Sequence, residues 1–69
     1  MNYEEVLIVN FLRECPEMFF SRKEISRRAI KRIEYEANPR WADAALTALL
    51  ERGLVEVDDN HCYRYKRPS

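Results

Sequence analysis

The segment ADAALTALLERGLVEV, residues 42–57, decides the fold because its hydrophobic period changes at a single glycine. Before Gly53, apolar residues recur at helical spacing in the stripe Ala42, Ala45, Leu46, Leu49 and Leu50. After Gly53, apolar and polar residues alternate, which is typical of a half-buried strand. Glycine is also the residue favoured at the left-handed position that ends a helix. The segment therefore predicts a helix that is followed directly by a strand.

Two β-rich runs at the C-terminus, residues 54–57 and 62–66, flank the polar turn Asp58-Asp59-Asn60-His61. Turn residues between two such runs predict a β-hairpin. Tyr63 and Tyr65 share one face of the second strand, so we expect them to close the core. Residues 67–69 are expected to form a frayed tail.

Upstream of this segment, the sequence predicts two further helix starts. Asn38-Pro39 is typical of an N-cap followed by the first helical residue, which predicts a helix over residues 38–52 after a connection at residues 34–37. Ser21 and Glu24 form a capping box, which predicts another helix over residues 21–32. Its expected inner face comprises Ile25, Ala29, Ile30 and Ile33.

The chain begins with a predicted helix over residues 3–14, with Asn2 as the N-cap and Pro16 as the stop signal. Its apolar stripe comprises Leu7, Ile8, Phe11, Leu12 and Cys15. The short apolar run 18–20 is suited to an extended strand. The predicted order is helix, short strand, helix, helix, strand, strand.

This order, together with Ser21–Ser26, the run Leu49-Leu50-Glu51-Arg52-Gly53-Leu54-Val55 and the strand Tyr63-Arg64-Tyr65, resembles the winged helix-turn-helix domains of bacterial and archaeal transcriptional regulators. The resemblance covers nearly the whole chain. It implies an α+β winged-helix fold, with a three-helix core, a short strand and a C-terminal hairpin wing, as one domain over residues 1–66.

The resemblance also implies a small DNA-binding protein, a transcriptional regulator or accessory factor without catalytic activity. Its third helix, residues 38–52, would enter the major groove, and the hairpin tip, residues 58–61, would lie along the backbone. The sequence departs from that pattern at the tip, where Asp58 and Asp59 would repel phosphate. It also departs on the exposed helix face, which offers only Arg40 and Thr47 among alanines and Glu51.

The formal net charge of the chain is zero, which at first argues against a nucleic-acid partner. Resolved by segment, however, residues 22–32 carry a net charge of +5, whereas residues 1–20 and 33–51 each carry −3. Lys23, Arg27 and Lys31 stand at positions i, i+4 and i+8, where like charges repel on a helix. A polyanion would relieve this repulsion, although a solvated face neutralised by nearby acids is the alternative.

The resemblance implies that the second helix contacts phosphates and that the third reads bases. The candidate nucleic-acid-binding residues are Arg22, Lys23, Arg27, Arg28, Lys31, Arg40, Thr47 and Arg64. Arg64 would follow phosphate along the wing, or else face solvent. For Arg40, the alternative is a surface ion pair with Glu36 or Asp43.

Other function classes are disfavoured by composition. The single His, the single Gly and two distant cysteines provide neither a metal-ligand set nor a phosphate-binding loop, so no catalytic residue, metal or cofactor is expected. Cys15 and Cys62 are interpreted as free, packed thiols. No run of apolar residues reaches membrane-spanning length and no signal peptide is evident, which predicts a cytoplasmic protein with no membrane partner.

Two partner hypotheses accompany double-stranded DNA. The first is a protein-interaction winged helix without DNA binding, whose partner would dock on the third-helix surface of Trp41, Ala44, Thr47 and Ala48. The second is a homodimer formed through the first helix, with Val6 and Val9 as its apolar patch. Trp41 is otherwise interpreted as a partly buried packing residue.

Overall fold

The computed structural model describes residues 1–67, which form four helices and one antiparallel sheet of three strands. Along the chain the elements are α1 (Tyr3–Glu14), β1 (Phe20–Ser21), α2 (Arg22–Arg28), α3 (Arg32–Ala37), α4 (Ala42–Glu51), β2 (Val55–Val57) and β3 (Cys62–Tyr65). The expected α+β class is confirmed. Within the tail predicted to fray, Arg67 pairs with Glu17 at 2.8 Å, whereas Pro68 and Ser69 lie outside the described residues.

The sheet has the strand order β1-β3-β2, so the last strand of the chain lies in its centre. Tyr63 on β3 stands opposite Phe20 on one side and Val57 on the other. Because β1 leads directly into α2, this pairing fixes where α2 begins relative to the hairpin.

Capping boxes are present at both predicted N-caps, Asn2 and Ser21. At the start of α1, the Asn2 side chain accepts the Glu5 N–H at 2.8 Å, and Glu5 Oε1 accepts the Asn2 N–H at 3.0 Å. The buried Glu5 carboxylate also accepts a hydrogen bond from Arg52 Nη1 at 3.2 Å. One side chain therefore caps α1 and joins it to the C-terminal end of α4.

The C-terminal hairpin turns through a left-handed residue, as expected for this polar loop. His61 has a φ of 59°, and Gly53, which ends α4, has a φ of 75°. Asp58 Oδ1 accepts the N–H groups of Asn60 and Cys62, both at 2.9 Å. The Asp58 side chain therefore holds the turn together with the backbone hydrogen bonds from Asp58 N to Cys62 O and from His61 N to Asp58 O.

The core lies between α1, α2, α4 and the inner face of the sheet. Most of the predicted core residues are buried: Ile8, Leu12, Ile25, Ala42, Ala45, Leu46 and Leu49. Tyr63 is also buried, and Tyr65 packs against the core, so the expected role of this strand face is confirmed. Phe11 and Trp41 pack against the cluster at its margin.

The predicted second helix, residues 21–32, is wrong at its C-terminal end. α2 ends at Arg28, and a separate helix, α3, occupies the region predicted as a connection. A single straight helix would hold Arg27 above Lys31 and Arg28 above Arg32, at roughly 0.2–0.5 kcal/mol of repulsion per pair. The break after Ala29 removes Lys31 and Arg32 from α2 and makes Lys31 the N-cap of α3.

The predicted N-cap at Asn38 is also wrong. Asn38 is instead the C-cap of α3, and its N–H donates to the Glu34 carbonyl at 3.1 Å. The chain then turns, and Trp41 precedes the first residue of α4, Ala42. The helix predicted over residues 38–52 is therefore shorter, because its first residues belong to the turn from α3.

Four side chains differ from their predicted burial. Ile33 is 74% exposed because α3 leaves the axis of α2, and Leu50 is 38% exposed at the margin of α4. Cys15 is a free thiol, as expected, but it is exposed because α1 has ended before it. Val9 is buried in the core, so it cannot form part of the apolar dimer patch predicted from Val6 and Val9.

Glu5→Ala is expected to lower the free energy of unfolding by about 1–3 kcal/mol, because it removes a helix cap and an acceptor of Arg52 together. Glu4→Ala removes the same charge from the same helical turn and is the matched control. Urea denaturation followed by circular dichroism measures both variants. Equal losses would show that the cap and the Arg52 contact contribute nothing specific.

Asp58→Ala is expected to lower the free energy of unfolding by about 1 kcal/mol, because two backbone N–H groups in the hairpin turn lose their acceptor. Asp59→Ala removes the same charge from the exposed neighbouring position and should leave stability within about 0.5 kcal/mol. Thermal unfolding of the two variants side by side is the measurement. A larger loss in Asp59→Ala would contradict the turn-holding role of Asp58.

Candidate nucleic-acid interface

A shallow groove of about 370 Å³ lies between the N-terminal end of α2 and the segment that leads into α4. Its lining residues are Arg22, Lys23, Ser26, Tyr35, Pro39, Arg40 and Asp43. We refer to it as the α2–α4 groove. Three of the predicted nucleic-acid-binding residues, Arg22, Lys23 and Arg40, therefore lie around one surface depression.

Local sequence explains why α2 presents cations here. Ser21 Oγ accepts the Glu24 N–H at 3.1 Å, and Glu24 Oε1 accepts the Ser21 N–H at the same distance, so α2 begins at a fixed residue. Ile25 is buried in the core. Arg22 and Lys23 are the first two residues of α2, and both are exposed at the helix start.

Arg22 is held at the edge of the groove by two elements. Its Nη2 donates to Tyr63 Oη at 2.9 Å, and its Nε lies 3.9 Å from Asp43 Oδ1. The hydrogen bond to Tyr63 raises the pKa of Arg22 above its ordinary value, although partial burial opposes it, and Asp43 adds to the rise. With 47% of its side chain exposed, Arg22 keeps donors that face solvent.

Arg40 takes one of the two ion-pair partners that the sequence suggested. Its Nε donates to Asp43 Oδ2 at 2.8 Å, whereas Glu36 pairs with Arg32 at 3.4 Å. The Arg40 side chain is 85% exposed and that of Asp43 is 27% exposed. Asp43 thus lies between two arginines and neutralises part of their charge.

Trp41 fixes the start of α4 against α2. Its indole Nε1 donates to the backbone carbonyl of Ser26 at 2.9 Å, and its ring packs against the core. The interpretation of Trp41 as a partly buried packing residue is confirmed. This contact sets the spacing between the two helix starts that flank the groove.

Three further candidate residues lie near the groove or on adjoining faces. The Arg27 guanidinium carbon is 5.8 Å from the centre of the Tyr35 ring, and Lys31 begins α3. Thr47 is exposed on α4, and its hydroxyl donates to the Asp43 carbonyl at 3.2 Å. Within residues 1–67, neither Lys23 nor Arg27 nor Lys31 forms an ion pair.

The remaining two candidates lie elsewhere. The Arg28 guanidinium stacks over Phe11 and Phe20 at 5.6 Å, where it covers the contact between α1 and the sheet. Arg64 donates from Nε to Glu56 at 2.8 Å and stacks over Phe19 at 4.4 Å. Both side chains are engaged within the protein, and neither lines the α2–α4 groove.

Two groove residues were not singled out by sequence reasoning. Asp43 was considered only as one of two ion-pair partners for Arg40, and Tyr35 was placed in a connection. The i, i+3 spacing of Arg40 and Asp43 is a sequence signal for their ion pair, but it does not indicate that Asp43 also meets Arg22. Tyr35 carried no such signal, because its position depends on the break between α2 and α3.

Comparisons with protein-family models, with curated proteins and with solved structures found no match for this chain. In the part of the chain that the structure describes, no helix has the length and apolarity needed to cross a membrane. Nor do residues 1–67 bring three or more His, Cys, Asp or Glu side chains together as metal ligands. The fold and the α2–α4 groove are therefore the features from which a function can be inferred.

Tyr63→Phe is expected to lower the free energy of unfolding by about 1 kcal/mol, because Arg22 loses a hydrogen bond while the buried ring is retained. Tyr65→Phe is the control, since its hydroxyl makes no hydrogen bond within residues 1–67. Urea denaturation of both variants, of Arg22→Ala and of the Arg22→Ala/Tyr63→Phe double variant measures the coupling. Additive losses in the double variant would contradict a direct Arg22–Tyr63 interaction.

Proposed function

We propose that this chain is a winged helix-turn-helix protein that binds double-stranded DNA and catalyses no reaction. In this proposal the start of α2 contacts backbone phosphates and the exposed face of α4 enters the major groove. The observation that carries the proposal is the convergence of Arg22, Lys23 and Arg40 at the α2–α4 groove, beside that exposed face.

The order of elements supports the winged-helix part of the proposal. A helix and short strand precede α2, and α4 leads through Gly53 into the β2–β3 hairpin. β1 joins the hairpin through β3, so the hairpin is anchored to the helical core and can act as a wing. α3 lies between α2 and α4, where winged helix-turn-helix domains commonly have only a tight turn.

The charges support an anionic partner. Lys23, Arg27 and Lys31 are exposed, and within the described part of the chain no carboxylate pairs with them. The sequence left open that acids of α1 or of residues 34–36 neutralise this stripe. Within residues 1–67, Glu36 is the one acid of this set that pairs with a base of residues 22–32, and that base is Arg32. Glu5 of α1 pairs instead with Arg52. Backbone phosphates would neutralise Lys23, Arg27 and Lys31.

The hairpin contributes less than the helices in this proposal. Glu56 pairs with Arg64, the one candidate residue on the hairpin. The hairpin tip carries two acidic residues, Asp58 and Asp59, which would repel phosphate. Phosphate contact therefore falls to α2 and the start of α3. A small set of phosphate contacts gives weak affinity and a modest salt-dependence slope, because the slope scales with the number of phosphates contacted.

A protein partner is the second candidate, and the exposed face of α4 favours it. Ala44 and Thr47 are small and exposed, and Leu50 beyond them is 38% exposed. Small and apolar side chains permit close approach of another protein surface. This candidate predicts no affinity for duplex DNA at any salt concentration.

Lys23→Ala is expected to weaken binding to all duplex sequences equally and to reduce the salt-dependence slope by about 1, because one phosphate contact is lost. Lys23 suits this test because it makes no ion pair within residues 1–67, whereas replacing Arg22 would also disturb Tyr63. Fluorescence anisotropy with a random-sequence duplex, across a salt series, is the measurement.

Arg13→Ala is the matched control, since it removes one positive charge from α1 outside the groove. It should leave the slope unchanged. A folded wild-type protein that binds no duplex at low salt would overturn the proposed function. Equal effects of the two variants would contradict the placement of the interface at the α2–α4 groove.

A further inference from the structure

We infer that Arg40 reads a guanine base in the major groove and that Asp43 is the positioning residue that holds its guanidinium for this contact. The inference rests on the proposed function and adds to it a specific base and two residues with distinct roles.

The terminal amino groups of Arg40 are available to bind a base. Its Nε donates to Asp43 Oδ2 at 2.8 Å, so the side of the guanidinium is occupied. The two terminal amino groups make no hydrogen bond within residues 1–67, and the side chain is 85% exposed. A pair of parallel N–H donors matches the O6 and N7 acceptors on the major-groove edge of guanine.

Asp43 is itself held in position by Arg22. Its Oδ1 lies 3.9 Å from Arg22 Nε, and Arg22 donates to the buried Tyr63 in the central strand. The chain of contacts Tyr63–Arg22–Asp43–Arg40 therefore connects an exposed arginine to the core. Restricting the arginine before binding reduces the conformational entropy that a base contact would otherwise cost.

The exposed face of α4 offers few donors that could compete with Arg40 for contact with a base. Ala44 and Thr47 are exposed on α4 after Arg40, and both side chains are short. The Thr47 hydroxyl already donates to the Asp43 carbonyl. Sequence preference should therefore be concentrated at one base pair and should be a preference for guanine.

The test begins with selection from a pool of randomised duplexes at low salt, followed by sequencing of the bound fraction. One guanine position should be enriched with the wild-type protein and lost with Arg40→Ala. Replacing that guanine by 7-deazaguanine removes the N7 acceptor and should weaken wild-type binding about ten- to a hundredfold. The same replacement should leave Arg40→Ala binding unchanged.

Asp43→Ala and Asp43→Asn separate positioning from charge. Both variants remove one negative charge, so both should bind random duplex more tightly by the same factor. Asn retains an oxygen that can accept from Arg40 Nε, and its guanine preference should be largely kept. Ala has no acceptor, and its preference should fall several-fold. Equal preference in the two variants would overturn the positioning role.

The remaining outcomes distinguish this inference from the function on which it rests. Duplex binding without any guanine enrichment, or with enrichment that Arg40→Ala retains, overturns the inference and leaves DNA binding in place. Absence of duplex binding by the folded wild-type protein overturns both. Arg40→Ala is expected to fold normally because its side chain is mostly exposed, and circular dichroism checks this.

Discussion

The hydrogen bond from Arg22 to Tyr63 is the interaction on which the arrangement of the candidate interface depends. Tyr63 lies in the central strand, pairs with both neighbouring strands and contributes its ring to the core. Its hydroxyl reaches the start of α2, which the two residues of β1 have already brought alongside. The sheet therefore sets where the first cations of α2 lie relative to α4, and the hydrophobic core keeps them there.

Asp43 gives this surface an electrostatic character that net charge conceals. The chain is formally neutral, yet its cations are concentrated on α2 and the start of α3. Asp43 lies within ion-pair distance of both Arg22 and Arg40 and so lowers the positive potential of the groove. Overall neutrality is thus compatible with a local basic surface, and it limits how strongly that surface attracts a polyanion at a distance.

The features that sequence reasoning predicted correctly depend on contacts between near neighbours in the chain. The capping boxes at Asn2 and Ser21 join residues three positions apart, and Gly53 adopts its left-handed φ within a single residue. The apolar stripes of α1 and α4 follow from helical spacing. The short α3 was missed because no Gly or Pro marks the break after Ala29, so one helix was predicted over residues 21–32 and residues 34–37 were predicted as a connection.

The sequence by itself therefore determined the α+β class, the order of every element except α3, most of the core and the local cluster of positive charge. Only the tertiary structure decided which cations share a surface. Arg22 meets Tyr63 across 41 positions and Trp41 meets Ser26 across 15. Arg28 and Arg64 are directed onto aromatic rings away from the groove. Such contacts depend on how separate elements pack, and hydrophobic periodicity records only which face of each element is buried.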